Sequence, residues 1–161
     1  MDLLEAKSRI AAALVESIFR RARFEVQPFQ AEPPLRFGRE DFSPDFRACM
    51  PGENGGAREL LVEVKYRPSI EQFVSVENQR GDRSVFLMAR RQWPALCFVL
   101  VSDRPEPGRS CFQALPFDRL TAGEPFRTVD LAQLKELRLF HHNVADHEEL
   151  VRRIMGLLTS G

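Results

Sequence analysis

The 161-residue chain has no apolar run approaching the ~20 residues that a membrane-spanning helix needs, so nothing in it reads as a span. Its start, Met1-Asp2-Leu3-Leu4-Glu5, lacks both the basic residues and the apolar core of a secretory signal. Cysteine is scarce: Cys49, Cys97 and Cys111 are odd in number and widely spaced. That argues against a disulfide framework and leads us to expect reduced thiols in a cytoplasmic protein. There is no excess of either charge, since 23 Lys and Arg balance 23 Asp and Glu. A broad basic surface of the kind many nucleic-acid binders carry is therefore not promised, although an enzyme that cuts and releases needs only a local patch. Lysine is rare, three residues against twenty arginines. A GC-rich genome would account for the bias. Each lysine is still worth locating, because Lys adjusts its pKa when buried whereas Arg stays protonated. We find no internal repeat and no low-complexity tract.

Other absences remove whole chemistries. The glycine-rich stretch at 52–56 lacks the following Lys-Ser/Thr of a phosphate loop, and no Gly-x-Ser-x-Gly occurs. His141, His142 and His147 have no nearby Cys and precede a helix cap, so we expect solvated polar residues there rather than zinc ligands. What remains is ordinary for a folded domain: 43% hydrophobic and 29% charged residues. One domain over residues 1–161 is expected, long enough for a proper core.

The stretch that does not look ordinary is Leu60-Leu61-Val62-Glu63-Val64-Lys65-Tyr66. It reads as a buried strand carrying two charges where a strand should not want them. Alternation places Leu61, Glu63 and Lys65 on one face and Leu60, Val62, Val64 and Tyr66 on the other. Buried charge is costly unless it is paired or binds a metal. An edge strand with a cross-strand ion pair is one account. Upstream, Ser43-Pro44-Asp45-Phe46-Arg47-Ala48-Cys49-Met50 reads as a second strand, opened by a proline that biases Ser43 toward extended geometry. Pro51 to Arg58 between them is a strong turn signal. If the two form an antiparallel hairpin centred on Asn54, then 49 faces 59, 47 faces 61, and Asp45 lies opposite Glu63. Opposed Cβ atoms sit roughly 5 Å apart, a separation one divalent cation spans. A one-residue slip would move Asp45 to the other face.

Pro44-Asp45 followed by Glu63-Val64-Lys65 on the next strand resembles the PD-(D/E)XK nucleases, which include many restriction endonucleases and Holliday-junction resolvases. The likeness covers roughly the first 70 residues by strand signals and extends to Glu16, placed where family members commonly carry a Glu on the preceding helix. It implies an α/β fold of restriction-endonuclease-like type, a mixed central sheet flanked by helices with an αβββαβ core plus C-terminal helices. It also implies metal-dependent hydrolysis of phosphodiester bonds, in DNA first. On that resemblance Asp45, Glu63 and the backbone carbonyl of Val64 hold Mg²⁺, with Mn²⁺ as a substitute. Lys65 positions the attacking water, and Glu16 serves a second metal or its water shell. Two alternatives stay open: a nuclease-fold module that binds without cutting, and a resolvase-like enzyme. The latter needs a homodimer with a broad basic face.

The remaining chain supplies the frame. Residues 3–22 carry a wide apolar stripe (Ile10, Ala11, Leu14, Val15, Ile18, Phe19, Ala22) and read as a helix. Glu16 lies off the stripe beside Ala12 and Ala13. It can be a surface partner of Arg20 or part of a site that those small residues leave open. Residues 24–29 alternate as a strand and 31–42 read as a loop, with Arg36 and Arg39 as candidate phosphate contacts. Ser69-x-x-Gln72 resembles a capping box opening a helix that Gly81 closes. A further helix is expected over 82–92, with a short strand at 85–88 as the alternative. Arg80, Arg83, Arg90 and Arg91 in this region are candidate contacts to a nucleic-acid backbone. Residues 95–101 read as a fully buried strand and 110–115 as another. Asp130 with Gln133 opens an expected helix ending near Phe140, and Asp146 with Glu149 is expected to cap the last one.

Overall fold

The computed structural model describes residues 2–29, 33–38, 40–51, 57–117 and 123–160. The first helix, α1 (Leu3–Arg21), forms because Asp2 caps it, its carboxylate accepting from the Glu5 amide at 2.7 Å. Its stripe of Ala11, Val15, Ile18 and Phe19 is fully buried. Arg23, at φ 72°, turns the chain out of the helix into β1 (Glu25–Pro28). Residues 31–42, expected as a loop, contain a two-stranded hairpin of β2 (Arg36–Phe37) and β3 (Glu40–Asp41). Gly38, at φ 67°, supplies the left-handed residue that such a tight reversal needs. The motif strands follow as β4 (Phe46–Pro51) and β5 (Ala57–Tyr66). Most of the turn joining them, at 52–56, lies outside the described residues.

After β5 come α2 (Ile70–Arg80) and α3 (Val85–Gln92), then β6 (Leu96–Val101), β7 (Phe112–Ala114) and β8 (Val129–Asp130). Residues 85–88 are helical because Ser84 caps α3, accepting from the Phe86 amide at 3.1 Å, and Glu77 accepts from the Val85 amide at 2.7 Å. The six-stranded sheet has the order β1-β4-β5-β6-β7-β8. β1, β4 and β5 form an antiparallel meander, and the α2–α3 crossover returns the chain to place β6 parallel to β5. Leu60, Val62, Val64 and Tyr66 of β5 meet α1 on one face of the sheet. Leu96, Phe98 and Leu100 of β6 meet α2 and α3 on the other. The architecture is α/β, with a mixed central sheet between helical layers.

Two expectations near the C-terminus are corrected. The helix expected from Asp130 to Phe140 is instead a pair of 3₁₀ turns, Leu131–Gln133 and Lys135–Leu137. Leu131, Leu134 and Leu137 recur every three residues, and three residues make one turn of a 3₁₀ helix, so all three reach the core. Arg138, at φ 53°, then ends the run. The last helix, α4 (His141–Ser160), begins five residues ahead of the expected cap at Asp146. Val144, His147, Val151 and Met155 form one buried stripe that carries the helix back past that aspartate. His147 is accordingly buried rather than solvated. Its Nδ1 lies 2.6 Å from the Asn143 carbonyl, which can only accept, so that nitrogen donates, and its Nε2 lies 2.9 Å from Ser17 Oγ. This contact ties α4 to α1; His141 and His142 are exposed. Cys49, Cys97 and Cys111 are free thiols. Among the described residues, no helix is long and apolar enough to cross a membrane.

Candidate active site

The site forms where β5 outruns its neighbour. The β4–β5 ladder pairs Cys49 with Glu59 and Arg47 with Leu61, the register expected from the hairpin, and ends at Phe46 with Val62. β5 continues to Tyr66, supported on its other side by β6. Its amides on the open side lack a strand partner, and side chains take them. Asp45 Oδ2 accepts from the Val64 amide at 2.7 Å, and Ser8 Oγ from α1 accepts from the Tyr66 amide at 3.1 Å. Asp45 is thus folded toward β5 by an unpaired backbone donor, while its own amide donates to the Val62 carbonyl at 2.7 Å. Phe46 and Ala48 belong to the α1-side core, which by alternation puts Asp45 and Arg47 on the side of Leu61, Glu63 and Lys65.

Glu63 is 0% exposed, and neither carboxylate oxygen has a hydrogen-bond partner. Its near neighbours are the Lys65 ammonium, with Nζ 3.4 Å from Oε1, and the aromatic floor of Phe98, its partner on β6. Lys65 Nζ also lies 5.0 Å from the centre of the Phe42 ring, which closes the pair from above. Burial pushes the Glu63 carboxyl well above the ordinary range; the charge of Asp45 raises it further, and Lys65 pulls it back. Asp45 is pushed up to about 6, chiefly by the protein closing round it although one side stays open to solvent. The Val64 amide and Lys65 oppose that rise, and Asp41 adds to it. A fully buried carboxyl without donors either keeps its proton or waits for a cation.

Asp45, Val64 and Lys65 form the base of a cleft of about 640 Å³. Glu5, Ser8, Ala12, Ala13 and Glu16 of α1 make one wall; Arg36, Glu40 and Asp41 of the β2–β3 hairpin make the other. Both readings of Glu16 hold together: it pairs with Arg20 at 2.7 Å and it faces the cleft. The alanines beside it leave that wall open. Six carboxylates line the cleft (Asp2, Glu5, Glu16, Glu40, Asp41, Asp45) against Arg9, Arg36 and Lys65. Arg39 lies outside the described residues. Arg80, Arg83, Arg90 and Arg91 do not line this cleft. Arg90 donates to the carbonyls of Leu96 and Leu115 at 3.3 and 3.4 Å, a structural role. Arg80 pairs with Glu77 at 3.0 Å, and Arg83 and Arg91 are exposed.

Phe42 is the residue that sequence reasoning passed over, and Asp41 was noted just before Asp45 without a role. The charge of Asp41 raises both carboxyls, while its Oδ1 accepts from the Ser43 amide at 2.7 Å and so shapes the approach to Pro44-Asp45. Its closeness in sequence to Asp45 was the available signal. Phe42 had none, because only the folded hairpin brings its ring over Lys65. Among the described residues, no group of three or more Asp, Glu, His or Cys side chains converges tightly enough to hold a metal ion. Asp45 and Glu63 stand as a pair. No family model matches this chain, and neither a curated protein nor a solved structure does.

Proposed function

We propose that this protein is a metal-dependent endonuclease of the PD-(D/E)XK type, hydrolysing phosphodiester bonds in DNA. One observation carries the reading: Glu63, fully buried and with no well-formed hydrogen bond on either oxygen among the described residues, beside the Lys65 ammonium at 3.4 Å and close enough to feel the charge of Asp45. The α/β architecture with a mixed sheet, in which β1, β4 and β5 run antiparallel and β6 lies parallel to β5 after the crossover helices, supports the reading.

The donor set fits a hard cation, for which oxygen ligands are preferred. Asp45 and Glu63 would hold Mg²⁺ or Mn²⁺, with the Val64 carbonyl, on the same peptide edge as the amide that meets Asp45, as a further ligand. Glu16, across the cleft, would serve its water shell or a second ion. When bound, the ion supplies a water of lowered pKa and neutralises charge on the phosphate. The chain's own groups do the rest. Lys65, fixed between Glu63 and Phe42, orients the attacking water and places an ammonium beside the charge that grows on the phosphoryl oxygens. Asp45 and Glu63 would release their protons to solvent on binding the cation. Arg36 on the hairpin wall meets the neighbouring phosphate. DNA is then the partner, and a homodimer is needed only if the substrate is a junction.

Asp45→Ala and Lys65→Ala should each abolish Mg²⁺-dependent cleavage while circular dichroism shows the fold intact. Wild type and variants equally inert on duplex, branched and single-stranded DNA would remove the proposal. A second reading rests on Lys65, 3.4 Å from Glu63, which could neutralise the acids as a closed triad in a nuclease-fold module that binds without cutting. Calorimetry separates the two: an open site takes up Mn²⁺ at neutral pH and loses it in Glu63→Ala, whereas a closed triad takes up none.

A further inference from the structure

Behind the β2–β3 hairpin lies a second groove, of about 360 Å³, that shares Glu40 with the cleft. α2 forms one side and the hairpin the other, and two arginines bridge them. Arg67, from the end of β5, lays its guanidinium over the Phe73 ring of α2 at 4.6 Å and pairs with Glu40 of the hairpin at 2.6 Å. Arg80, from α2, lies over the Phe37 ring of the hairpin at 5.0 Å and pairs with Glu77 at 3.0 Å. Phe73 and Arg80 are seven residues apart on the helix, which separates the two stacks by about 10 Å along its axis. Val76, 40% exposed, and Gln72 lie on the α2 side of the groove.

Both arginines are matched by carboxylates, so the groove carries no net charge with which to hold a phosphate. It offers instead the Arg80 guanidinium plane, its side chain 42% exposed, beside the Phe37 ring, with the Arg67–Phe73 stack, Arg67 only 11% exposed, as a largely covered end wall. That surface suits a neutral planar group. A phosphodiester chain in the adjacent cleft carries such groups along its length, and base–aromatic stacking does not depend on sequence.

We propose that this groove is a nucleobase subsite that receives an unpaired base from the strand lying in the cleft, so that the favoured substrate has a single-stranded stretch beside the scissile phosphate. The inference deepens the nuclease reading and rests on it for the identity of the strand. The stacking itself can be measured without catalysis.

The probe is 2-aminopurine, first as the deoxynucleoside 5′-monophosphate and then within a single-stranded decamer, titrated by fluorescence without divalent metal. Wild type should quench the probe on binding. Arg80→Ala and Phe37→Ala should weaken that binding roughly 5- to 100-fold, the usual range for losing one stacking partner. Arg80→Lys keeps the charge but not the plane, and should behave like the alanine variant. Arg91→Ala, exposed and outside both grooves, should bind the mononucleotide as wild type does. Circular dichroism and thermal melting of each variant show that the fold is retained. Absence of quenching by wild type, or equal binding by all four variants, overturns the subsite and leaves two arginine–phenylalanine stacks that only pin the hairpin. Quenching that vanishes in Arg80→Ala while no DNA is cut under any condition keeps the subsite and removes the nuclease.

Discussion

Among the described residues two glutamates are sealed inside this protein, and they are handled in opposite ways. Glu77, 1% exposed at the end of α2, accepts from Ser84 Oγ at 3.1 Å and from the Val85 amide at 2.7 Å, and pairs with Arg80. Glu63, 0% exposed on β5, accepts no hydrogen bond on either oxygen. The first carboxylate joins two helices by supplying α3 with a cap. Among the described residues the second has only the Lys65 ammonium, 3.4 Å from Oε1, as its polar partner and caps nothing. Equal burial therefore means opposite things, and the donors around a buried acid, rather than its depth, separate a structural group from a functional one.

The comparison breaks most visibly at Glu63 itself. Glu63→Gln should remove Mn²⁺ binding by calorimetry and lower cleavage by at least ~100-fold, the scale of losing a charged group at a reacting phosphate. Glu77→Gln should change neither, because Ser84 and Val85 still find an oxygen. Glu77→Ala should cost about 3 kcal/mol in urea unfolding, since it strands buried donors and frees Arg80. Unchanged stability would show that the Glu77 contacts do not hold the helices together.

A smaller effect follows from pH. Asp45 titrates near 6 in the folded chain and at ~3.9 unfolded. Folded protein therefore binds the extra proton between those values. Its contribution is full below the lower value and is lost as pH rises through the upper one, and raised Glu63 extends the loss further. Metal-free Asp45→Asn should melt a few degrees above wild type at pH 8 and level with it near pH 4, where about 1 kcal/mol corresponds to ~2–4 °C for a chain of this size. Mn²⁺ should bind more tightly as pH rises, because the carboxyls must lose their protons first. A flat difference in melting temperature across that range would mean that Asp45 is not strained by its surroundings. Smallest is the contrast among arginines. Arg36→Ala should reduce the salt slope of DNA binding by about 1, whereas Arg91→Ala, away from the cleft, should leave it alone.

Much of this was written locally. Asp2, Ser69 and Ser84 cap helices through contacts two or three residues away, and alternation in residues 60–66 placed Glu63 and Lys65 on one face of a strand. The β4–β5 register followed from the same alternation and a glycine-rich turn, which is why Asp45 could be set beside Glu63. Where local signals competed with long-range burial, they lost. Asp146 was a sound cap, yet the stripe through Val144 and His147 started α4 earlier. The leucines at 131, 134 and 137 suited an α-helix nearly as well as the 3₁₀ turns they form.

The sequence by itself determined the order of α1, β1, β4, β5, α2, α3 and β6, and the two carboxylates and one lysine that face a common edge, because strand and helix periodicities act over a few residues. Only the tertiary structure decided that Glu63 would be left without donors, that Phe42 would cover Lys65, and that the arginines of α2 and α3 would lie outside the cleft. Those outcomes depend on which surfaces exclude water from one another, and that is settled when distant segments pack.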